Sequence, residues 1–436
     1  MKHILFQKVI VLAVVSILCS LVIVPALRAV PQTEYSLPSP QQVSMVFEES
    51  MFRRMSARNF TVDPVTDQDL STILWAAYGL RGDGNRTVPG MNNVYAGIIY
   101  VLKEDAVYTY NPQNHSLIFY KQGDYRTIVG WQYAAPIQLG LVSDLSINSD
   151  QNYAAAELGE IGQNIQFMAN ALNLGTVVTG EQPSPLENLS LPPNQIGRII
   201  MPLGHPVKPY NFVNFPFWIS PLPRIQKSNM TLSTVLEKRN ETTSWMNTSL
   251  SKQQQTQLVW SSYGYSNYYD KSESDLNPVK RHRTVPSAHG YYPLIIYMVN
   301  ESGIYRYIPN TYNPLYGLLH GIWFLPVMTG LLKIVAGDKR GVVAQASASY
   351  LASAPVTIIS VLDVKQTNKT YDDASAENLR WLWYFEAGAS AHNILLEATA
   401  WNLKGTIVLP TNTSALQTLL KLNDNQIPLL LVPVGK

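Results

Sequence analysis

The block RTVPGMNNVYAGIIY, Arg86–Tyr100, returns 197 residues later as RTVPSAHGYYPLIIY, Arg283–Tyr297. A chain that repeats a proline turn and a β-rich run at such a distance is constrained to build one architecture twice. The surrounding order agrees. ILWAAYG (Ile73–Gly79) is echoed by LVWSSYG (Leu258–Gly264), each at the end of a helical pattern stopped by glycine. Ala135-Pro136 and Ala354-Pro355 each lead into an apolar strand. Two long helix patterns follow, Ala156–Thr176 and Phe385–Thr406. They share Glu-x-Gly-x-x-x-x-Asn at Glu157–Asn164 and Glu386–Asn393, and their closely spaced small residues predict tight helix packing. The copies close on NQIGRIIMPLG (Asn194–Gly204) and NQIPLLLVPVG (Asn425–Gly435).

The repeats occupy residues 43–206 and 228–436, joined by a Pro- and aromatic-rich linker at 207–227. At 436 residues and 46% hydrophobic, the chain can furnish a core for each. A net charge of +2 without basic runs excludes a dedicated nucleic-acid binder. Lys2 and Lys8 precede an apolar run, Val9–Val24, so residues 1–29 read as a signal peptide or membrane anchor, and 30–42 as a polar tether. Ten Asn-x-Ser/Thr triplets, starting at Asn59, Asn85, Asn114, Asn188, Asn229, Asn240, Asn247, Asn300, Asn368 and Asn412, also point to an extracytoplasmic, glycan-bearing protein. Cys19 is the single cysteine and lies in the leader. The second copy carries an extra stretch of helical character at about Leu315–Ala348. His282, His289 and His392 lack metal-ligand spacing, and no metal is expected. Glu157 and Glu386 read as one structural role played twice. There is no nucleophile elbow, phosphate loop or dinucleotide fingerprint.

The order RRMSARNF (Arg53–Phe60), ILWAAYG, RTVPSAHGYYP, the Glu-x-Gly helix and Leu-Gly-Thr with its closing strand resembles the FMN-dependent nitroreductase superfamily. Within it the likeness is to the SagB-type, azoline dehydrogenase-like branch. The resemblance spans nearly all of the chain after the leader. It implies an α+β fold: tandem nitroreductase-like repeats, each a mixed, mainly antiparallel sheet flanked by helices, forming an intrachain pseudo-dimer. It further implies an oxidoreductase holding FMN between the two halves. One half's Arg-x-Ser-x-Arg arm would hold the phosphate and ribityl chain, and the other half's Pro-Ser-small turn would lie against the ring.

The copies have decayed differently. The first keeps Arg54, Ser56 and Arg58, where the second has Arg239, Glu241 and Thr243. The second keeps Pro286, Ser287 and Ala288, where the first has Pro89, Gly90 and Met91. Thr179-Gly180, at the family's backbone contacts to flavin, is matched by Leu409-Pro410. The intact halves predict one composite FMN site on Arg54, Ser56, Arg58, Thr179, Gly180, Pro286, Ser287 and Ala288, with Gln132 standing in for an amide the family supplies nearby. The Lys-Tyr pair frequent before the azoline-branch helix is absent; Asp150–Tyr153 and Trp383-Tyr384 stand there. The partner expected is a small-molecule substrate or electron acceptor, reached by a monomer. The competing reading is a degenerate, non-catalytic pseudo-dimer that binds a ligand or partner.

Overall fold

The computed structural model describes residues 33–90, 94–130, 132–181, 183–207, 222–266, 282–311, 328–367 and 379–436. The leader, Cys19, Met91, Asn368 and most of the linker therefore lie outside the described residues. Each repeat builds one sheet whose strand pairs are antiparallel. The first has seven strands: β1 (Glu34–Ser36), β2 (Gly97–Leu102), β3 (Ala106–Asn111), β4 (Ser116–Gln122), β5 (Ile137–Asp144), β6 (Gly175–Thr176) and β7 (Gln195–Gly204), in the spatial order β1-β4-β3-β2-β5-β7-β6. The second has six: β8 (Leu294–Asn300), β9 (Gly303–Thr311), β10 (Met328–Ala336), β11 (Val356–Asp363), β12 (Lys404–Gly405) and β13 (Gln426–Gly435), ordered β10-β9-β8-β11-β13-β12. The shared order β3-β2-β5-β7-β6 and β9-β8-β11-β13-β12 is the duplication in three dimensions. Even an irregularity is copied: the ladder slips between Leu141 and Val142 in the first sheet and between Ser360 and Val361 in the second.

Two sequence expectations are corrected at the sheet edges. The tether is not free chain, because Glu34–Ser36 pairs with β4 and buries Leu37. The extra stretch of the second copy is not wholly helical. Its described part opens with β10, an edge strand on β9, before the short helix Arg340–Gln345. The run Leu331-Leu332-Lys333-Ile334-Val335 fits either period, and pairing with β9 decides it.

The helices that frame the seams between the repeats are α1 (Phe47–Phe52), α2 (Asp67–Tyr78), α3 (Gln151–Ala171), α4 (Leu232–Lys238), α5 (Lys252–Tyr263) and α6 (Arg380–Ala400). Helix α2 starts at Thr66, whose side chain accepts from the Asp69 amide, and α5 starts at a Ser251/Gln254 capping box. Both stop at glycine, but not through a left-handed turn. A Cβ on Gly79 would stand 2.6 Å from Trp75, and one on Gly264 2.2 Å from Trp260. The indole of each tryptophan donates to the Leu80 or Tyr265 carbonyl just beyond and occupies that space.

Helices α3 and α6 are buried on nearly every side and cross each other at the centre. A Cβ on Gly159 would lie 2.0 Å from the Phe385 carbonyl oxygen, and one on Gly388 1.9 Å from that of Ala156. The two contacts are mirror images, 229 residues apart in the chain. Backbone rests on backbone, so neither side can yield by a rotamer change. The N-terminal segments also cross between repeats: Phe47 donates its amide to the Met230 carbonyl, and Leu232 to that of Met45. Gly388→Ala is therefore expected to force the helices apart and destabilise the chain by about 3 kcal/mol. Alanine at Gly341, which has nothing within 4 Å, should leave the urea midpoint nearly unmoved.

Candidate functional site

A cleft of about 680 Å³ opens between the repeats, within the size range of ligand pockets. The first repeat contributes Ser56 and Arg58 from the arm after α1, Gln132 and Tyr133 from the loop before β5, Val177–Gly180 after β6, and Ile199 of β7. The second contributes Pro286–Gly290 and, from α6, Leu382, Phe385 and Glu386. The arm is held down on its own repeat. Ala57 donates its amide to the Thr176 carbonyl at 2.9 Å, and Gly175 leaves room for the Ala57 methyl. Thr179 is fixed to Ile200 by reciprocal backbone bonds of 3.0 and 2.8 Å.

Seven of the eight predicted site residues thus line one cleft, together with Gln132. Arg54 does not. It is fully buried and donates from Nε to the Arg283 carbonyl at 2.6 Å, and from a terminal nitrogen to Gln166 Oε1 at 3.3 Å. Arg239 does the same in reverse, reaching the Thr87 and Arg86 carbonyls. The first arginine of each arm is a strut beneath the opposite proline turn. Arg58 is exposed, reaches only its neighbour's Ser56 carbonyl at 3.3 Å, and makes no ion pair among the described residues. It brings a positive charge to the cleft wall.

The residues not foreseen are the apolar walls Val177, Ile199, Leu382 and Phe385, and the cleft-facing Tyr133, His289 and Glu386. Phe385 and Leu382 sit one and four positions before Glu386 on the helix motif, the one signal that could have indicated them. His289 has a left-handed backbone, φ 52°, uncommon outside glycine.

The two helix glutamates share a frame. Tyr78 donates to Glu157 Oε1 at 2.6 Å, and Tyr263 donates to Glu386 Oε1. Burial pushes both carboxyls up to about 7, against the pull of these bonds.

The opposite seam, where the second arm would face the first proline turn, is built from different residues. Glu160, with no counterpart acid in α6, accepts the Gly90 amide at 3.1 Å. Gly90 lies against the Tyr95 ring, at φ 66°. Glu241 is paired with Arg239 at 2.8 Å. Burial and the neighbouring Glu157 hold Glu160 well above the usual carboxylate range.

A family model described as "Nitroreductase family" matches residues 51–185 and 244–436, one match in each repeat. The chain belongs to the nitroreductase family. A protein of Methanocaldococcus jannaschii named "Putative nitroreductase" is 31% identical over a 171-residue alignment that covers 34% of this chain and 83% of that relative. That relative is about one repeat long. A solved structure from Anabaena variabilis, also titled a putative nitroreductase, aligns over 92% of this chain and 94% of its own with a TM-score of 0.62 at 15% identity. It shares the doubled nitroreductase fold.

Buried acids leave a pH signature. Glu157 and Glu386 bind protons in the folded state at a pH where the unfolded chain, with ordinary carboxyls near 4.5, has released them. Raising the pH strips those protons from the folded state alone, so stability falls through about pH 7 and levels off above it. His392, held neutral by burial, loses the protein stability only as pH drops below its ordinary 6.5. The melting temperature is thus expected to decline between about pH 6.5 and about pH 8, and less steeply in Glu157→Gln/Glu386→Gln.

Proposed function

We propose that this nitroreductase-family chain is an FMN-dependent oxidoreductase of the SagB-like branch with one flavin cleft between its repeats. The observation that carries this is the meeting of Ser56, Arg58, Thr179 and Gly180 with Pro286, Ser287 and Ala288 across a single opening. The donor set suits an amphipathic ligand with one anionic end. Arg58 and the Ser56 hydroxyl supply charge and a hydrogen bond for phosphate. Phe385, Leu382, Ile199 and Pro286 offer apolar walls for a flat ring, while Thr179, Ser287 and Gln132 supply polar edges. When bound, FMN supplies the hydride exchange itself, so the protein needs no nucleophile of its own. Its work is to hold the ring, restrict water and keep the substrate face open. The second arm carries Glu241 and Thr243 where the first has Ser56 and Arg58, which supports one flavin per chain.

We also infer export, from the leader and the triplets. Eight of those triplets, Asn59, Asn85, Asn114, Asn188, Asn229, Asn240, Asn247 and Asn412, have an exposed asparagine, whereas Asn300 is buried. An oxidoreductase in that compartment would pass electrons to oxygen, a quinone or another small acceptor rather than draw on a cytoplasmic nicotinamide pool. Leader-free protein reconstituted with FMN is expected to hold one flavin per chain by absorbance. Arg58→Glu and Ser287→Trp should each lose it, and Thr243→Ala should keep it. Two flavins per chain, or none in the unmodified protein, contradicts the reading.

A further inference from the structure

The two helix glutamates differ in their second oxygen. Glu157 Oε2 accepts from the Ala96 and Gly97 amides at 2.8 and 3.1 Å, so main chain saturates it away from the cleft. In the second repeat the residue matching Ala96 is Pro293, which has no N–H to give. The Leu294 amide goes instead to the Tyr263 hydroxyl at 3.2 Å. Glu386 Oε2 is left to the Ser287 hydroxyl, which donates to it at 2.6 Å. The first repeat has no such hydroxyl, because Gly90 stands at that position. Three positions have therefore changed together: Gly90, Glu160 and Ala96 in one copy correspond to Ser287, Ala389 and Pro293 in the other.

A serine hydroxyl carries one hydrogen and two lone pairs. The Ser287 oxygen accepts the Tyr292 amide at 2.9 Å, using one lone pair. Its hydrogen is committed to Glu386 while that carboxylate is ionised, and the cleft then meets only the remaining lone pair. Once Glu386 is protonated, its own O–H satisfies that lone pair, and the serine hydrogen turns free toward the cleft. We propose that Glu386 is a positioning residue that sets, through Ser287, whether the cleft offers its ligand a hydrogen-bond acceptor or a donor at the proline–serine turn. This rests on the single-cleft flavin reading. It names the kind of ligand edge that fits, one that itself alternates between acceptor and donor as it gains and loses a proton.

Few other charges bear on the pair. Tyr263 of α5 bonds the far oxygen of Glu386. The Arg283 guanidinium stands over the Tyr263 and Tyr292 rings at 4.7 and 4.9 Å and favours the ionised acid. Arg58 and His289 face the same cleft. The crossing helix α3 presents uncharged Ala156 and Gly159 at its contact with α6. Burial, the largest influence on Glu386, brings its titration to about 7, so both hydroxyl orientations are populated near neutrality.

Infrared titration of the ligand-free protein tests the coupling without flavin. The protonated-carboxyl band that disappears in Glu386→Gln is expected to titrate near neutrality and to move to higher pH in Ser287→Ala, which removes a bond to the ionised form. The same substitution should leave the band lost in Glu157→Gln in place. An unmoved Glu386 band in Ser287→Ala overturns the proposal. FMN affinity, read from quenching of flavin fluorescence at about pH 6 and about pH 9, is expected to differ severalfold in the unmodified protein. The ratio should be flat in Glu386→Gln and Ser287→Ala. A flat ratio in the unmodified protein also overturns the proposal. No FMN binding at either pH overturns the flavin reading instead, with the infrared result still deciding the Glu386–Ser287 coupling.

Discussion

Two glycines hold this architecture together. At Gly159 and Gly388 the central helices touch through backbone, with no side chain between them. That approach fixes how far apart the sheets sit, and therefore how wide the seam between the repeats can be. It also places the start of α6, with Leu382, Phe385 and Glu386, in the wall of the cleft formed with the other repeat. The arginine struts add a second constraint. Arg54 and Arg239 are buried in one repeat's territory but spend their hydrogen bonds on the opposite repeat's turn carbonyls. A buried guanidinium without acceptors is costly. Each strut therefore holds the opposite turn at one height, and neither repeat is complete without the other's backbone.

Much of this was legible in the chain because duplication makes a sequence its own comparison. Paired motifs announced the doubled α+β fold, and the unequal decay of those pairs pointed to one cleft built from Ser56 and Arg58 on one side and Pro286–Ala288 on the other. What stayed hidden depended on direction rather than identity. Arg54 and Arg58 are the same residue type four positions apart, and no local pattern says which one turns inward. The tertiary surroundings do: Arg54 follows α1 into the core, whereas Arg58 lies on the exposed arm. Glu160 was invisible for another reason. A glutamate within a helix pattern reads as ordinary, and only its contact with the Gly90 amide reveals that it holds the first proline turn. The edge strand β10 was misread because its apolar run suits either period until a neighbouring strand selects one.

The seams also show how one acid can do two jobs. Tyr78 and Tyr263 hold Glu157 and Glu386 in the same frame, which ties each central helix to the end of α2 or α5 in its own repeat. The frame is structural in both repeats. The difference lies in the remaining oxygen, set by whether Ala96 or Pro293 stands just before the strand. A ring that cannot donate a hydrogen bond thus changes the surroundings of a carboxyl on a different element.

Joining the halves in one chain has a consequence that the two unlike seams make visible. In an assembly of identical subunits every substitution appears twice, so an acid that blocks one pocket blocks its twin as well. Here Glu160 and Glu241 could settle on one side while Arg58 and Ser287 persisted on the other. Covalent linkage released the molecule from its own symmetry. One flank became free to specialise as scaffolding, and the other was spared the compromise of serving both ends at once.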